Sequence, residues 1–321
     1  MDDFWNSYPE IKEDLKYVVT IMEQNAKCKD KYIENSILEL MHSGGKMLRP
    51  TFVLISSRFG DYNKNKAHAL AAVIEMLHMA TLVHDDIVDD SRLRRGKETV
   101  QSKYGKDYAV YIGDYLFCKC FKILAENSSL KDINVDSNSM TKICIGEIDQ
   151  LSSRFDKNIS IKSYLKRIAS KTAELFSLSL YSGASSSNCD EKLSRKLWHI
   201  GHNIGMAFQI IDDILDYSGD EKKLGKASAN DLKQGVLTLP VLYALSLKDE
   251  NFNNLINKQL YSEEDIENIV KFVKDSNSLD KCIKLAEEYS DKAIKLILKL
   301  PESQNRNMLF DITKKLLNRE Y

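Results

Sequence analysis

Two acidic motifs with the same spacing constrain the fold of this chain more than any other feature. In HDDIVDD, Asp85, Asp86 and Asp89 end an apolar run that starts near Ala67. The same DDxxD pattern ends a second apolar run, at Asp212, Asp213 and Asp216. On a helix the first and last aspartates of each motif share one face. Carboxylates at a helix C-terminus oppose the macrodipole, so each motif predicts a cationic partner, and we favour a metal ion.

Residue usage predicts an all-α fold. The 321 residues include only 4 prolines and 13 glycines, below average usage. We predict a single domain over residues 1–321, a helical bundle around a central cavity with the two acidic motifs facing each other. Periodicity predicts helices at about 9–25, 30–42, 50–59, 64–90, 107–126, 139–153, 160–182 and 190–217, and four or so after Leu237. The segments 91–106 and 127–138 are predicted as loops, and 182–190 as a linker.

Charge and cysteine usage limit the class of protein. The net charge of −1 gives no reason to expect nucleic acid. The six cysteines form no CxxC pair, so we interpret them as reduced, mostly buried thiols of a cytoplasmic protein. The acidic, polar N-terminus predicts no signal peptide. The most apolar window, 67–83, is too short and too polar to predict a transmembrane segment.

The acidic and basic residues together indicate a site for a phosphorylated substrate. Oxygen ligands suit hard cations, and Mg²⁺ is typical where a metal ion shares its ligands with phosphate. Arg92, Arg94 and Arg95 follow the first motif, and guanidinium groups match phosphate oxygens. The sequence contains no P-loop and little β pattern. A diphosphate held above an apolar helix surface indicates a prenyl substrate.

At this point the chain resembles a known family, the trans-prenyltransferases or polyprenyl diphosphate synthases. Six motifs carry the resemblance in order: GGKMLRP, EMLHMATLVHDDIVDDSRLRRG, GEIDQ, KTAELF, GMAFQIIDDILDYSGD and LGKASANDLKQG. The resemblance implies the isoprenoid synthase fold and the condensation of isopentenyl diphosphate with an allylic prenyl diphosphate. It also implies three Mg²⁺ ions, with Mn²⁺ as a substitute.

The resemblance assigns roles to individual residues. The implied metal ligands are Asp85, Asp89 and Asp212. The implied catalytic set adds Asp86, Asp213 and Lys171. The implied contacts to the allylic diphosphate are Arg94, Lys171, Thr172, Gln209 and Lys226. The implied contacts to isopentenyl diphosphate are Lys46, Arg49, His78 and Arg95. In one departure from the family pattern, Val236 follows Gly235 where many members have a lysine, so Lys233 or Lys226 is expected to replace that contact.

The residues before the first motif bear on product length. Short-chain members of the family tend to carry aromatic residues here, as a floor under the growing chain. This sequence has Leu77, Ala80 and Thr81, none of them aromatic. We therefore expect a product of about C30–C50, of the class that supplies quinone side chains.

Several alternatives stay open at this stage. The chain is alternatively a shorter-chain synthase, making geranylgeranyl or farnesyl diphosphate, or the catalytic subunit of a two-component synthase. A terpene cyclase or head-to-head synthase would share the fold but would not need GGKMLRP and RRG. The expected partners are the two substrates, a second copy of the chain in a homodimer, a small accessory subunit in the two-component case, and a membrane that receives the product.

Overall fold

The computed structural model describes residues 3–218, 229–258 and 260–317, and it confirms the all-α prediction. The first ten helices are α1 Pro9–Ala26, α2 Lys31–Met41, α3 Leu48–Ser56, α4 Lys64–Val88, α5 Val100–Tyr104, α6 Lys106–Asn127, α7 Leu130–Ser152, α8 Ile161–Ile168, α9 Glu174–Ser186 and α10 Glu191–Ser218. A π-helical turn, Ala169–Ala173, joins α8 to α9. The later helices are Asn230–Lys233, Leu239–Leu245, Glu250–Ile256, Glu263–Asp275, Ser278–Ile297 and Gln304–Leu317. Short 3₁₀ turns cover Asp3–Ser7 and Ser57–Phe59.

The described residues form two compact units. The first contains the residues up to 137 together with 178–198, and the second contains 138–177 together with the residues from 199 onward. Each acidic motif belongs to one unit, the first motif to the first unit and the second motif to the second. The expectation of one domain whose two motifs face each other stays a prediction.

Helix α4 is central to the first unit, as its broad apolar face predicts. It packs against α1, α3 and α6. By length and composition α4 could cross a membrane, but 72% of its apolar window is buried inside the protein. That degree of burial is typical of a core helix.

A buried ion cluster fastens α1 to α4. The Asp14 carboxylate accepts a hydrogen bond from Arg58 at 2.6 Å and contacts the His68 ring nitrogen at 2.9 Å. Burial alone would raise the pKa of Asp14, but the hydrogen bonds with His68 and Arg58 together lower it to about 2. The carboxylate is therefore ionised at neutral pH and paired on both oxygens.

The second unit is held by aromatic packing and by one buried arginine. The rings of Phe176 and Phe208 lie 5.3 Å apart. Arg167 on α8 is 5% exposed, and its guanidinium donates to the carbonyl of Leu237 at 2.8 Å. This bond ties α8 to the start of Leu239–Leu245, so the segment that carries Lys171 is anchored on one side.

Several predicted boundaries are wrong. Residues 127–138 are not a loop, because α7 begins at Leu130, and α9 continues to Ser186 into the predicted linker. The polar residues that suggested a loop are used inside the fold: Asp132 accepts from Ser185 at 2.6 Å and Asp136 accepts from Ser182 at 3.3 Å. The predicted loop 91–106 contains a β-hairpin and α5.

The cysteine prediction holds in part. All six cysteines are free thiols, as predicted. Only Cys120 and Cys282 are buried, so the expectation that most are buried is wrong, and Cys118 and Cys144 are exposed. Each lies on the outward side of its helix, a position that spacing alone did not reveal.

Candidate active site

The first acidic motif forms the last turn of α4. Asp89 is the C-cap residue, and its backbone N–H donates to the carbonyl of Asp85 at 2.8 Å. Asp85 and Asp89 are partly exposed, whereas Asp86 is buried. The helical spacing therefore presents the first and last carboxylates together and turns the middle one inward, as the i, i+4 relationship predicts.

The buried Asp86 is held by Arg94. Nε of Arg94 donates to Oδ1 of Asp86 at 2.9 Å, and Nη2 forms a salt bridge with the same oxygen at 2.8 Å. Burial is the largest influence on the pKa of Asp86 and raises it, although Arg94 opposes that effect. The pair joins the end of α4 to the chain that follows, so Asp86 orients an arginine that the family resemblance places on the allylic diphosphate.

Arg94 and Arg95 lie in a short β-hairpin whose two strands and turn contain two residues each. Strand β1, Leu93–Arg94, pairs antiparallel with β2, Lys97–Glu98, in the register Leu93↔Glu98 and Arg94↔Lys97. The two turn residues have positive φ, 52° at Arg95 and 77° at Gly96. Two positive φ angles are the mark of a type I′ turn, which suits the twist of a hairpin. Gly96 adopts this conformation at no steric cost, whereas Arg95 does so at some cost in strain.

A cavity of about 390 Å³ lies beside this hairpin, within the first unit. Its lining includes Gly44, Gly45, Met47, Glu75, His78, Arg94 and Arg95. A Cβ atom added at Gly45 would lie 2.8 Å from Nη1 of Arg95, and nothing lies within 4 Å of one added at Gly44. Glycine at position 45 thus lets the Arg95 guanidinium lie against the backbone. Met47, with φ at 48°, is the left-handed residue that precedes α3.

His78 lines this cavity and contacts Arg49. Nη1 of Arg49 lies 3.2 Å from Nε2 of His78. Burial, together with Arg49, Arg95 and Arg94, holds the pKa of His78 well below its ordinary value. The ring is therefore neutral, and since guanidinium only donates, Nε2 accepts and Nδ1 carries the proton. A neutral histidine here adds a hydrogen-bonding group without adding charge.

Glu75 also lines the cavity, and Lys46 lies in the chain between two lining residues, Gly45 and Met47. The ammonium group of Lys46 lies 5.4 Å from the ring centroid of Phe4, and its carbonyl accepts from the indole of Trp5 at 2.7 Å. Glu75 was not predicted as a site residue, although it lies three residues before His78 on the same helix. Burial raises the pKa of Glu75, and the charges of Arg49 and Arg95 oppose this rise. The cavity thus contains a carboxyl group among its cations.

The second acidic motif repeats this geometry near the end of α10. Asp212 and Asp216 are partly exposed, and Asp213 is 3% exposed. Asp213 accepts from the hydroxyl of Tyr164 at 2.6 Å and from Nε2 of Gln209 at 2.8 Å. Burial and the charge of Asp231 raise the pKa of Asp213 to about 8, against the effect of these two hydrogen bonds. Among the described residues, Asp213 has no salt bridge that corresponds to the one between Arg94 and Asp86.

The π-helical turn carries Lys171 and Thr172, and π-helical turns are frequent at functional sites. Nζ of Lys171 lies 2.6 Å from the carboxylate of Glu147, a residue of the GEIDQ motif. The hydroxyl of Thr172 donates to Oε1 of Gln209 at 2.7 Å. The structure therefore brings Lys171, Thr172 and Gln209 to one region of the second unit, and it gives Glu147 a partner that sequence reasoning did not assign.

The positions considered for product length differ in exposure. Ala80 and Leu77 are buried, at 0% and 2% exposure, whereas Thr81 is partly exposed like Asp85. The hydroxyl of Thr81 donates to the carbonyl of His78 at 2.8 Å. Thr81 therefore shares an accessible helix face with the motif, and Ala80 is packed on the other side.

The residues expected to replace the missing family lysine at position 236 are Lys226 and Lys233. Lys226 lies outside the described residues. Lys233 is exposed, and Val236, which replaces the usual lysine, is 4% exposed and belongs to the core.

The residues present fit a magnesium site that is completed by substrate. Across the described ranges, no group of three or more histidine, cysteine, aspartate or glutamate side chains forms a metal site by itself. Each acidic motif instead presents two partly exposed carboxylates, Asp85 and Asp89 in the first and Asp212 and Asp216 in the second. Mg²⁺ is commonly bound by one or two carboxylates plus water and substrate phosphate, which matches this donor set.

Comparisons with known proteins identify the family. The model of the polyprenyl synthetase family matches residues 30–273. Heptaprenyl diphosphate synthase component 2 of Bacillus subtilis (strain 168) is 36% identical over 321 residues, covering 99% of this chain and 91% of that protein. The chain belongs to the polyprenyl synthetase family. It is a prenyltransferase with the all-α isoprenoid synthase fold.

Solved structures of similar proteins agree with this assignment. Heptaprenyl diphosphate synthase from Staphylococcus aureus superposes with a TM-score of 0.93 at 36% identity, covering 97% of this chain and 99% of that one. Geranylgeranyl pyrophosphate synthase from Lactobacillus brevis has a TM-score of 0.93 at 36% identity, and covers 99% of both chains. Proteins named for products of different length are thus equally similar to this chain.

Proposed function

We propose that the chain catalyses the Mg²⁺-dependent, consecutive condensation of isopentenyl diphosphate with an allylic prenyl diphosphate, giving an all-trans polyprenyl diphosphate of about C30–C50. The observation that carries the proposal is the cavity of about 390 Å³ beside the RRG hairpin, which is lined by His78, Arg94 and Arg95, with Arg49 in contact with His78. Three guanidinium groups and a neutral histidine suit a diphosphate dianion or trianion.

The isopentenyl diphosphate occupies this cavity in our proposal. Arg49 and Arg95 bind its phosphate oxygens, His78 donates from Nδ1, and Lys46 leaves the Phe4 ring to join them. Its apolar end extends along α4, where Met79 and Leu82 line the same cavity. This arrangement holds the double bond in place for attack on the allylic carbon.

The allylic diphosphate binds at the acidic motifs. Asp85, Asp89 and Asp212 would hold Mg²⁺, three ions in all with Mn²⁺ as a substitute, and the ions would neutralise charge on the leaving diphosphate. Arg94 and Lys171 add hydrogen bonds that strengthen as the C–O bond breaks. Gln209 orients the same group, and Thr172 shields the cation formed. Lys226 is proposed as a further phosphate contact on the family resemblance alone.

The reaction then needs no side-chain nucleophile. The C–O bond of the allylic substrate breaks, the double bond of isopentenyl diphosphate attacks the allylic carbon, and a proton is lost from the new chain to the released diphosphate. Asp86 and Asp213 serve this chemistry through the groups they hold, Arg94 and Gln209. The absence of a Ser/His/Asp or Cys/His arrangement in the sequence agrees with this course.

Product length is proposed from the non-aromatic residues before the first motif. Thr81 lies on the accessible face that leads to Asp85, and Leu77 and Ala80 are packed beside it. Replacing Thr81 with Phe would place a ring below the substrate, so Thr81→Phe is expected to shorten the product. Ala80→Phe is expected to do the same, after displacing its neighbours. If both variants gave products of the same lengths as the wild type, the residues before the first motif would not determine product length.

The names of similar proteins support two alternatives. A geranylgeranyl synthase is as similar as a heptaprenyl synthase, which supports a shorter product. The designation "component 2" of the Bacillus relative supports a catalytic subunit that acts with a smaller partner. Beyond the substrates, we propose a cytoplasmic homodimer without nucleic-acid binding, which delivers its product to a membrane for quinone side chains.

One assay separates these alternatives. The purified chain is incubated with labelled isopentenyl diphosphate, farnesyl diphosphate and Mg²⁺, and the products are resolved by length. Products of C30–C50 support the main proposal, C20 supports the shorter-chain synthase, and activity that requires an added partner supports the two-component enzyme. Cyclised hydrocarbon, or no consumption of isopentenyl diphosphate under any condition, contradicts the proposal.

A further inference from the structure

Tyr164 is a buried phenol whose hydroxyl is not explained by packing. It lies on α8 with 0% exposure, among the largest fully buried side chains of the described residues. Its hydroxyl donates to Oδ2 of Asp213 at 2.6 Å, across 49 positions of sequence. A phenylalanine would fill nearly the same volume without a polar atom to satisfy. The specific contribution of tyrosine is therefore the hydrogen bond to the middle aspartate of the second motif.

That hydrogen bond is the first of a chain. Oδ1 of Asp213 accepts from Nε2 of Gln209 at 2.8 Å, and Oε1 of Gln209 accepts from the hydroxyl of Thr172 at 2.7 Å. Because both oxygens of Asp213 are engaged, its carboxyl group cannot rotate without losing a bond. Because Gln209 donates at one end and accepts at the other, its amide has one favoured orientation. Tyr164 thus reaches Thr172 through two intermediate side chains of the same unit.

The direction of these bonds determines what Thr172 offers to a substrate. The Thr172 hydroxyl gives its proton to Gln209, so its oxygen presents lone pairs elsewhere. An oxygen that presents lone pairs stabilises a developing cation and cannot donate to a diphosphate. Reversing the Gln209 amide would remove the acceptor that keeps the Thr172 proton turned away.

We propose that Tyr164 is a positioning residue for the prenyl transfer reaction, which fixes Gln209 and Thr172 by holding the carboxyl group of Asp213 between them. The inference rests on the proposed function, which places Gln209 and Thr172 at the allylic substrate. Tyr164 itself contacts no substrate in this scheme. Loss of its hydroxyl frees Asp213 to rotate and Gln209 to reverse.

The test is Tyr164→Phe, which removes the hydroxyl and keeps the ring. With farnesyl diphosphate, isopentenyl diphosphate and Mg²⁺, we expect kcat to fall about tenfold, the factor that corresponds to one lost buried hydrogen bond. The KM for isopentenyl diphosphate and the Mg²⁺ concentration for half-maximal activity should stay at wild-type values, because neither depends on Thr172. Tyr181→Phe is the matched control: Tyr181 is 5% exposed, packs on Trp198, and has no hydroxyl hydrogen bond within the described residues.

A double-mutant cycle with Thr172→Ala separates positioning from general stability. If Tyr164 acts through Thr172, its substitution should have little further effect on kcat in the Thr172→Ala background. Fully additive effects, wild-type kcat in Tyr164→Phe, or an equal loss in Tyr181→Phe would overturn the inference while leaving the proposed function intact. If Tyr164→Phe raised the KM for farnesyl diphosphate and for isopentenyl diphosphate alike and also lowered the melting midpoint, Tyr164 would serve only the stability of the fold. A wild-type chain that makes no prenyl product would overturn the proposed function and this inference with it.

Discussion

In the first acidic motif the buried carboxyl group is paired with a guanidinium, whereas in the second it is held by a phenol and an amide. Asp86 accepts a hydrogen bond from Nε of Arg94 and forms a salt bridge with its Nη2, whereas Asp213 accepts one hydrogen bond each from Tyr164 and Gln209. The spacing of the two motifs is identical, and in both the first and last aspartates stay partly exposed. Spacing therefore determines which carboxylates face outward, but the partner determines what the buried one does.

The difference in partner has electrostatic consequences. A cationic partner favours the ionised carboxylate, whereas neutral donors offset burial only in part. The pKa of Asp213 rises to about 8, and Asp14, which is paired with Arg58 and His68, has a pKa lowered to about 2. Asp14 is thus a charge-paired carboxyl group and Asp213 one held by neutral donors, and Asp86 lies between them, because burial raises its pKa against the charge of Arg94.

Removing the cation from the first motif is expected to have the largest effect. Arg94→Ala leaves Asp86 buried without its guanidinium and removes a proposed diphosphate contact, so kcat/KM for the allylic substrate should fall by roughly 10² to 10³. Because the Arg94 side chain is 33% exposed, water can reach the vacated space, and we expect stability to fall by only about 2 kcal/mol. Steady-state kinetics and denaturant unfolding measure the two losses.

Arg92→Ala is the control for that experiment. Arg92 is an exposed arginine on the same loop, so its loss removes the same charge from the surface. We expect wild-type kinetics and stability within about 0.5 kcal/mol. If Arg92→Ala and Arg94→Ala lose activity equally, general charge rather than the pairing with Asp86 explains the effect, and the contrast between the motifs disappears.

A buried carboxyl group with a neutral partner should make the protein less stable as pH rises. Asp136 is 5% exposed and accepts from Ser182, and burial with the charge of Asp132 raises its pKa to about 7. The folded state therefore binds a proton that the unfolded state has released above its ordinary pKa of 3.8. The contribution to stability is complete below about pH 4 and is lost as pH rises to about 7.

Asp136→Asn removes that titration and should flatten the pH dependence. From pH 5 to pH 7 we expect the wild-type free energy of unfolding to decline by about 1 kcal/mol per pH unit relative to the variant. Asp14 should act in the opposite sense, since its depressed pKa makes its contribution present above about pH 4 and lost as pH falls towards 2. If the free energies of unfolding of the wild type and Asp136→Asn ran parallel over pH 5–7, Asp136 would instead be ionised in the folded protein across this range.

Much of this architecture was predictable from the sequence, and the exceptions share a cause. Helices α4 and α10 and their aspartates follow from apolar periodicity, which is a local property. The start of α7 was missed because Asp136 is compensated by Ser182, a residue 46 positions away. The local sequence around a buried polar group does not show which distant residue pairs with it, so the polar segment 127–138 was predicted as a loop.

The site shows the same limit. Motifs identified His78 and Arg95, which line the cavity, and Arg49, which contacts His78. Glu147 and Tyr164 were not assigned, because their roles depend on Lys171 and Asp213, which lie 24 and 49 positions away. The hairpin, by contrast, could have been predicted from local sequence, because a glycine, a typical turn residue, directly follows the two arginines.

A backbone position tests whether the first unit depends on the placement of its cations. In Gly45→Ala the new Cβ lies 2.8 Å from Nη1 of Arg95, so the guanidinium must move. We expect the KM for isopentenyl diphosphate to rise about tenfold, with a smaller change in kcat, because a binding contact is displaced. Gly44→Ala is the matched control, since nothing lies within 4 Å of its Cβ and its φ is also positive. The two variants share the backbone penalty of about 1 kcal/mol, so equal KM values would show that Arg95 placement is unimportant.

The smallest effect is expected where a charge pair is already partly hydrated. Lys171 and Glu147 are 24% and 26% exposed, and their charged atoms are 2.6 Å apart. Glu147→Gln keeps the shape and removes the charge, so stability should change by no more than about 1 kcal/mol. The freed ammonium should bind the allylic diphosphate more tightly, lowering its KM by roughly twofold to threefold, because Glu147 no longer competes with phosphate for Lys171. A salt titration checks this, since the gain should shrink as ionic strength rises. A raised KM would mean instead that Glu147 holds Lys171 in its productive position, and the second unit would then depend on a charge pair as the first unit does.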